Sequence, residues 1–414
     1  MKAVDVVVLG LGFTGLPMAV AAAKAGARVV GLDSSTHRVS EIVQARPGAG
    51  LTTVPEGLLR ELLSDGRLHI CATTAYPPAA RTHVVCVQTP PGPGLDPDLT
   101  ALFAAVDLVA ARLRPDDLVL VQSTCPPGTV ESLLASRLAA GSGLRPGADF
   151  FLAHSPVRTD PGRPGPNGVP RVVGGMSARC TAAATRFLTG LAERVVPVDS
   201  IGTAELVKVF ENTFRLVNIS LVNELADLCR AFEVNVHEVL DAASTKPFGF
   251  LRHRPSPGAG GDCIPASARF FAAAAQRHAR SASIARAALA VNDATPARTA
   301  SLVLEWWSAQ DLPPLRKCRV LVSGVTYKPD VPSTRRSAAV RVLEHLRTET
   351  EIGYHDPYIP QLELSDGTVL HSQPLSPDAA DVVLVLSRHS AVDVAGHGLP
   401  VVDCSSGQPR LLGS

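Results

Sequence analysis

The stretch VDVVVLGLGFTG, residues 4–15, decides the fold. Its first six residues are mostly valine, a pattern typical of a parallel strand that is buried on both faces. The GxGxxG motif that follows places Gly10, Gly12 and Gly15 between this strand and an alanine-rich helical segment that Gly26 closes. A strand, a glycine turn and a helix in this order predict the first unit of a dinucleotide-binding sheet.

Each glycine has its own geometric role in such a turn. Gly10 makes the tight turn, Gly12 lets a pyrophosphate approach the backbone, and Gly15 lets the helix pack closely on the strand. The next strand ends in Asp33, 18 residues after the last glycine. An acid there accepts hydrogen bonds from ribose hydroxyls and repels a 2′-phosphate. The sequence therefore predicts NAD rather than NADP, with Arg38 as a further cofactor-binding residue.

The alternation of strands and helices continues to about residue 175. THVVCVQTPP and DDLVLVQSTCPPGT each contain a strand that runs into a loop. Open α/β sheets bind ligands at the carboxyl ends of their strands. Thr89 and Thr124 in these loops are therefore candidate cofactor or substrate contacts, and Thr124 is also a candidate catalytic residue. The alternative is that both are ordinary turn and capping hydroxyls.

The middle of the chain is helical. Residues 203–233 contain neither proline nor glycine and carry apolar residues at helical spacing, which predicts one long helix. This helix is a candidate domain connector and dimer surface, and a second long helix is predicted near residues 275–308. Lys208 and Asn212 are four residues apart on the first helix and share a face. Apolar neighbours surround Lys208, so it lines a site or is an ordinary solvated charge.

Strands and helices alternate again from about residue 317. This region lacks GxGxxG, which argues against a dinucleotide as its ligand. Lys328, Arg335 and Arg336 in the loop TYKPDVPSTRRS are candidates to meet phosphates, or they form a solvated charge cluster. The predicted fold class is α/β, with two Rossmann-like doubly wound sheets joined by a long central helical region. The predicted domains are 1–198, 199–312 and 313–414.

Composition excludes several classes of protein. The net charge is +1 over 414 residues, so neither a nucleic-acid surface nor a polybasic membrane patch is expected. Glycines and charges interrupt the apolar N-terminal stretch, which we interpret as strand, turn and helix rather than as a membrane or signal segment. The eight cysteines form no CxxC pair and no cluster with metal spacing. We therefore expect no metal site and a reducing, cytoplasmic location.

The motifs together resemble the UDP-glucose/GDP-mannose dehydrogenase family. GLGFTGLP with Asp33, QTP, STCPPGT, AELVKVFENTFRLVNISLVNELA, PGAGGDCIP, GVTYKPDV and YHDPY occur in the family's order and spacing, over nearly the whole chain. The resemblance implies an N-terminal NAD domain, a central helical dimerisation region with the catalytic cysteine, and a C-terminal domain that binds a nucleotide sugar. It also implies a homodimer that acts in polysaccharide or specialised-metabolite biosynthesis.

The resemblance further implies an NAD-dependent oxidoreductase that acts on the CH–OH group of a nucleotide sugar, most simply a UDP-sugar. Members of this family oxidise C6 from alcohol to carboxylate with two NAD per turnover. Cys263 matches the family's nucleophile, which traps the 6-aldehyde as a thiohemiacetal. A second hydride transfer leaves a thioester for water to cleave. A thiol suits this role because it is intrinsically nucleophilic. The residues alone leave open that Cys263 is a small apolar filler in a tight turn.

Further site residues follow from the same resemblance. Lys208 matches the lysine that stabilises the developing oxyanion, and Asn212 matches the asparagine that orders water or the oxygen at C6. Arg335 matches an arginine that reaches the ligand from the C-terminal domain, and Gly260 lets a sugar ring approach the backbone. The predicted substrate contacts are Lys208, Asn212, Gly260, Lys328 and Arg335.

The chain departs from the family at three positions. The family usually has histidine before the nucleophile, where Asp262 stands here, and an adjacent carboxylate disfavours the thiolate. The family's aspartate four residues after the nucleophile is Ser267. The glutamate of its SPER-like motif is Val157. Two carboxylates are therefore absent where the family places acid–base groups.

Three hypotheses follow from these departures. The leading one is a working four-electron 6-dehydrogenase in which Asp262, Asp160 or His154 covers the lost roles. The second keeps NAD, the nucleotide sugar and Cys263 but stops at the 6-aldehyde, oxidises transiently or passes the acyl group to a nucleophile other than water. The third is a non-catalytic binding subunit, which the retention of Cys263 and Lys208 argues against. Which nucleotide sugar binds is not specified by the sequence.

Overall fold

The chain is organised as two units in the computed structural model. The model describes residues 4–45, 54–77, 79–90, 92, 97–158, 169–310 and 313–412. The first unit comprises residues up to Glu211 together with Phe270–Arg280. The second comprises Asn212–Arg269 and the residues from Ser281 onward.

An eight-stranded sheet forms the centre of the first unit. Its strand order is β3-β2-β1-β4-β5-β6-β7-β8, and only β6 and β7 pair antiparallel. The chain moves outward from β1 in both directions, so a topological switch point lies between β1 and β4, where such sheets bind ligands. The strands are β1 (Val4–Leu9), β2 (Val29–Asp33), β3 (Leu68–Ala72), β4 (Ala80–Val85), β5 (Leu118–Val121), β6 (Phe151–His154), β7 (Arg171–Gly175) and β8 (Val195–Val198).

Helices cover both faces of this sheet. Successive residues of a strand point to opposite faces. In β1 the side chains of Val6 and Val8 belong to one apolar core, and those of Val7 and Leu9 belong to the other. This is why residues 6–9 of the strand are apolar without interruption. The helices of this unit are α1 (Gly15–Lys24), α2 (Thr36–Val43), α3 (Glu56–Ser64), α4 (Thr100–Ala110), α5 (Ala135–Ser142), preceded by a π-helical segment (Thr129–Leu134), and α6 (Ala178–Thr189).

The long central helix forms as predicted. Helix α7 spans Ile201–Ala231, and the boundary between the two units falls within it, after Glu211. The second predicted long helix begins at Ser283 rather than near residue 275, because a shorter helix ends before it. The remaining helices are α8 (Val236–Ala243), α9 (Ile264–Arg277), α10 (Ser283–Ser308) and α11 (Ala338–Leu346). None of the helices that the structure describes is long and apolar enough to cross a membrane.

A five-stranded sheet forms the core of the C-terminal third. Its order is β10-β9-β13-β14-β15, and only β14 and β15 pair antiparallel. Strands β11 and β12 form a separate antiparallel pair. The strands are β9 (Arg319–Ser323), β10 (Glu351–His355), β11 (Gln361–Glu363), β12 (Val369–His371), β13 (Val382–Val385), β14 (Val401–Asp403) and β15 (Arg410–Leu412). The two sheets and α7 confirm the predicted fold class, whereas the domain boundaries at 198/199 and 312/313 stay a prediction.

Candidate active site

The glycine turn after β1 leaves space for a ligand at one of its three glycines. Gly10 has φ +86°, and a Cβ there would lie 2.9 Å from the carbonyl oxygen of Cys86. A Cβ on Gly15 would lie 1.7 Å from the carbonyl oxygen of Gly10. A Cβ on Gly12 would meet no heavy atom within 4 Å. Gly10 and Gly15 are thus required by the fold, and the backbone at Gly12 is open to a phosphate.

The carboxylate of Asp33, at the end of β2, accepts backbone hydrogen bonds that stabilise this turn. One of its oxygens accepts the amide of Leu11 at 2.8 Å, and the other accepts the amide of Ser35 at 2.9 Å. The Nε of Arg38 donates to the carbonyl oxygen of Leu11 at 3.1 Å. Burial lowers the pKa of Arg38, against the opposing charges of Glu41 and Asp33. Each Asp33 oxygen retains a lone pair, so the carboxylate can still accept from a ribose hydroxyl.

Thr89 and Thr124 come together at the neighbouring carboxyl edge of the sheet. They follow β4 and β5, which pair in parallel. The hydroxyl of Thr89 donates to the carbonyl oxygen of Thr124, and both residues are partly buried. The structure therefore places these two predicted contacts beside each other.

Glu205 is a buried acid that the sequence reasoning did not select. It lies on α7 and is 1% exposed. Its two oxygens accept the amides of Gly128 at 2.6 Å and Val130 at 2.9 Å. Burial outweighs these hydrogen bonds and raises its pKa to about 7. The only sequence signal was an acid among apolar residues on the long helix.

Lys208 lies one turn after Glu205 on α7 and is partly buried. Its positive charge acts electrostatically on the imidazole of His154, at the end of β6. Burial, with a smaller contribution from Lys208, lowers the pKa of His154 to about 3. His154 is therefore neutral at physiological pH and is a weak base, which counts against it as a substitute for a lost carboxylate. Val157 in the following loop is buried, and Asp160 lies outside the described residues.

Cys263 lies in the second unit at the residue before α9. It is exposed, whereas six of the other seven cysteines are buried and Cys71 is partly buried. The amide groups at the start of α9 and the helix dipole favour a negative charge at this position. A buried filler is expected to be inaccessible, so the exposure of Cys263 favours the nucleophile over the filler interpretation.

Asn212 and Ser267 are hydrogen-bonded to each other close to this turn. The Nδ2 of Asn212 donates to the hydroxyl oxygen of Ser267 at 3.0 Å. Both residues are buried, and the amide of Ser267 donates to the carbonyl oxygen of Cys263 at 3.1 Å. Where the family has a carboxylate, this chain thus has a neutral, buried pair.

The loop before α11 packs against the turn that carries the cysteine. The amide of Gly261 donates to the carbonyl oxygen of Arg335 at 3.1 Å. A Cβ on Gly260 would lie 2.6 Å from the carbonyl oxygen of Arg336, and one on Gly261 would lie 2.8 Å from the ring of Tyr327. Close packing of this loop therefore gives a structural reason for both glycines, in addition to the predicted approach of a sugar.

Arg335 also pairs with Asp262. Its Nη1 lies 2.8 Å from Oδ2 of Asp262, and Nε of Arg336 lies 3.9 Å from Oδ1. The carboxylate that precedes Cys263 is therefore paired with a guanidinium in the structure. From the sequence, Asp262 was interpreted as a carboxylate that disfavours the Cys263 thiolate, and Arg335 as a ligand contact. The ion pair between them was not predicted.

The second sheet repeats the geometry of the first nucleotide turn. The amide of Gly324 donates to the carbonyl oxygen of His355 at 2.9 Å, as Gly10 donates to that of Leu32 at 2.8 Å. Asp356 accepts the amide of Val325 at 2.8 Å, as Asp33 accepts that of Leu11. A glycine turn and an acid on the neighbouring strand are thus present after β9, although the GxGxxG motif is not.

A buried histidine completes this second turn. The Nε2 of His389 lies 3.0 Å from Oδ2 of Asp356, and its Nδ1 accepts the amide of Asp330 at 3.0 Å. Burial alone would raise the pKa of Asp356, but hydrogen bonds from His389 and from backbone amides hold it below its usual range. These contacts fix the loop that carries Lys328, the predicted phosphate contact. Over the described ranges, no group of three or more His, Cys, Asp or Glu side chains is arranged to hold a metal ion.

Three domain models of one protein family match this chain, in the order that the sequence predicts. The UDP-glucose/GDP-mannose dehydrogenase family's NAD binding domain matches residues 4–190, its central domain matches 202–294, and its UDP binding domain matches 321–399. The NAD binding domain confirms the predicted cofactor. The UDP binding domain supports a nucleotide sugar as the class of substrate.

Individual proteins resemble the chain over most of its length. The UDP-N-acetyl-D-mannosamine dehydrogenase of Pyrococcus horikoshii is 35% identical over 389 residues, which are 93% of this chain and 89% of that protein. The NDP-N-acetyl-D-galactosaminuronic acid dehydrogenase of Ralstonia solanacearum is 32% identical over 394 residues, 92% of this chain and 90% of that protein. The solved structure of the UDP-D-ManNAc dehydrogenase from Pyrococcus horikoshii superposes with a TM-score of 0.84 and 30% identity, covering 96% of this chain and 94% of that one.

These matches confirm the predicted resemblance and the predicted class of enzyme, an NAD-dependent oxidoreductase. They cover both sheets and the long helix, and the cofactor turn after β1 has the required geometry. The chain belongs to the UDP-glucose/GDP-mannose dehydrogenase family.

Proposed function

We propose that this chain is a 6-dehydrogenase of a UDP-linked 2-acetamido hexose, which it oxidises from alcohol to carboxylate through Cys263. The observation that carries the proposal is the exposed Cys263 on a turn that is packed against Arg335. The sugar class is supported by the two curated relatives described above, both of which are named for N-acetylated hexose derivatives. The UDP binding domain supports the nucleotide.

The residues of this chain have separable roles in the proposed reaction. NAD, when bound, would accept one hydride in each of the two oxidations. In the first, the C6 hydroxyl loses its proton to water as the hydride leaves, and Lys208 stabilises the negative charge on that oxygen. The Sγ of Cys263 then adds to the aldehyde carbon, which gives a thiohemiacetal. Loss of the second hydride, with the hydroxyl proton passing to water, gives a thioester. Water then adds to the thioester carbon and the C–S bond breaks, which releases the carboxylate, the Cys263 thiolate and two protons to solvent.

The cofactor side of the proposal rests on the first unit. The open backbone at Gly12 and the start of α1 would hold the pyrophosphate, and Asp33 would accept from the ribose. Arg38, Thr89 and Thr124 are proposed as further contacts around the same edge of the sheet.

A second candidate function differs only in the last step. Hydrolysis of a thioester benefits from a general base, which typically contributes 10²–10⁴-fold. The Asn212–Ser267 pair is neutral, and the pKa of His154 is about 3. These observations favour release of the aldehyde, or transfer of the acyl group to another nucleophile, if no other residue replaces the base. Asp262 is the carboxylate nearest in sequence to Cys263 that could do so.

We also propose that the chain forms a homodimer through α7. Five large apolar side chains on this helix are exposed, at spacings of four, four, seven and seven residues that place them along one face. They are Leu206 (45%), Phe210 (59%), Phe214 (42%), Leu221 (59%) and Leu228 (55%). An apolar stripe of this length is what a symmetric pair of helices would bury. The eight free cysteines suit the proposed reducing, cytoplasmic location.

The decisive experiment measures NADH formed per sugar consumed, with mass spectrometry of the product, over a panel of UDP- and GDP-sugars that includes 2-acetamido hexoses. We expect two NADH and a carboxylate from a UDP-acetamido hexose. One NADH with an aldehyde would instead establish the second candidate.

The Cys263→Ala variant is the matched test of the nucleophile. It should lose carboxylate formation and keep NAD binding, which is measured by protein fluorescence quenching or calorimetry. Carboxylate formation at the wild-type rate in this variant would overturn the role of Cys263.

A further inference from the structure

Asp262 and Arg335 are 73 residues apart in sequence and meet at the residue that directly precedes Cys263. The Arg335 Nη1 lies 2.8 Å from Oδ2 of Asp262, and the two side chains are 53% and 38% exposed. A pair this exposed contributes little to folding stability. Its position, directly before the proposed nucleophile, suggests a different role.

Backbone contacts hold Arg335 at this place independently of the ion pair. The carbonyl oxygen of Arg335 accepts the amide of Gly261, and the carbonyl oxygen of Arg336 lies 2.6 Å from where a Cβ of Gly260 would be. Arg336 has φ +49°, a backbone conformation that is rare outside glycine. The strained backbone of this loop is thus fixed against the cysteine turn, and the Arg335 side chain starts from a defined position.

The other charges around the pair are largely matched. Arg336 lies 3.9 Å from Asp262. Arg269 pairs with Asp293 at 2.8 Å, and both of these residues act electrostatically on Arg336. Among the described residues, Arg336 is the remaining guanidinium within 4 Å of the Asp262 carboxylate once Arg335 is removed.

We propose that Arg335 is a positioning residue that neutralises Asp262 and so keeps the adjacent Cys263 reactive in a chain that lacks the family's usual histidine there. A carboxylate next to a thiol opposes formation of the thiolate, which is the nucleophilic form. The guanidinium cancels this effect and carries a charge that does not titrate. The inference rests on the proposed function, since it concerns the nucleophile assigned there.

The test is the rate at which iodoacetamide alkylates Cys263, identified by peptide mass spectrometry at neutral pH. This reagent is uncharged, so local charge acts on the thiol and not on the approach of the reagent. Arg335→Gln should slow alkylation by about tenfold, because the uncompensated Asp262 carboxylate then opposes the negative charge that Sγ carries when it reacts. The double variant Asp262→Asn with Arg335→Gln should return to within about twofold of the wild-type rate, since it removes the repulsive charge as well.

A matched control is the pair Arg347–Asp366, which has the same 2.8 Å contact and lies elsewhere on the surface of the second unit. Arg347→Gln should leave the alkylation rate unchanged. A wild-type rate in Arg335→Gln would overturn the proposal. So would a double variant as slow as Arg335→Gln, because misfolding or a lost contact would not be rescued by a second substitution.

This measurement can fail separately from the proposed function. Alkylation requires neither substrate nor turnover, so it reports the electrostatics of Cys263 alone. Carboxylate formation by Cys263→Ala would overturn the nucleophile assignment and leave the measured charge coupling intact. Loss of carboxylate formation in Cys263→Ala, together with a wild-type alkylation rate in Arg335→Gln, would support the nucleophile assignment and overturn the proposed role of Arg335.

Discussion

Single residues around β1 show two different reasons for glycine. At Gly15 the reason is the fold, because a Cβ would lie 1.7 Å from a backbone oxygen. At Gly12 no heavy atom beyond the adjacent residues lies within 4 Å of that position, so the fold leaves room for a side chain, and the proposed reason for glycine is a ligand that approaches the backbone. The glycines of one motif are therefore required for different physical reasons. Substitution of Gly12 and of Gly15 can distinguish these reasons.

We predict that Gly12→Ala lowers NAD affinity by about tenfold or more and changes the free energy of unfolding by less than about 1 kcal/mol, because its methyl group fills only the ligand's space. Calorimetric titration with NAD and denaturant unfolding measure the two effects. Gly15→Ala is the matched variant and should lose several times more stability, since its methyl group collides with the backbone. Equal losses of stability in the two variants would contradict this separation.

At the scale of secondary-structure elements, α7 is tied to the segment after β5 through Glu205. The carboxylate accepts two amides at the start of the π-helical segment, which follows the loop that carries Thr124. This contact joins residues about 75 positions apart in the chain. The same packing buries the Glu205 carboxyl group away from water, and this burial raises its pKa.

The folded state raises the pKa of Glu205 from an ordinary 4.5 to about 7, so it holds this proton to a higher pH than the unfolded chain does. The resulting stability is fully present below about pH 4.5 and is lost as the pH rises through about 7. We predict that the free energy of unfolding of the wild type, relative to that of Glu205→Gln, falls by up to about 3 kcal/mol as the pH rises from about 4.5 to above about 7. Denaturant unfolding at several pH values measures it.

The control for this experiment is Glu193→Gln, which changes an exposed acid of the same unit. Its stability difference from the wild type should stay nearly constant with pH. A pH-independent difference for Glu205→Gln as well would show that the carboxyl group titrates normally in the folded protein.

At the scale of the whole molecule, two sheets carry the same turn in different sequence contexts. Gly10 with Asp33 and Gly324 with Asp356 make equivalent backbone hydrogen bonds, but only the first belongs to GxGxxG. The second is supported by His389, which comes from the loop after β13. The matches to an NAD binding domain and a UDP binding domain agree with this difference between the two turns.

Assembly is the other property at this scale. We predict that Leu221→Glu converts the proposed dimer to a monomer, because it places a charge in the middle of the apolar stripe on α7. Sedimentation velocity measures the change in mass. Leu133→Glu, which alters an exposed leucine outside that helix, is the control and should keep the wild-type mass. A dimer that survives Leu221→Glu would place the interface elsewhere.

The sequence by itself determined the features that depend on neighbours along the chain. Valine runs predicted buried strands, the proline-free stretch predicted α7, and the spacing of Gly10, Gly12 and Gly15 predicted the glycine turn between β1 and α1. These predictions succeed because a strand, a helix or a turn is set by residues a few positions apart. The family motifs extended them to the class of enzyme.

Only the tertiary structure decided which distant side chains meet. The sequence read Asp262 as a repulsive charge, and the fold pairs it with Arg335, 73 residues later. It gave Glu205 no role, although the fold buries this residue against the amides of Gly128 and Val130. Charge pairing and burial depend on which loops the sheets bring together, and no local pattern in the chain encodes that proximity.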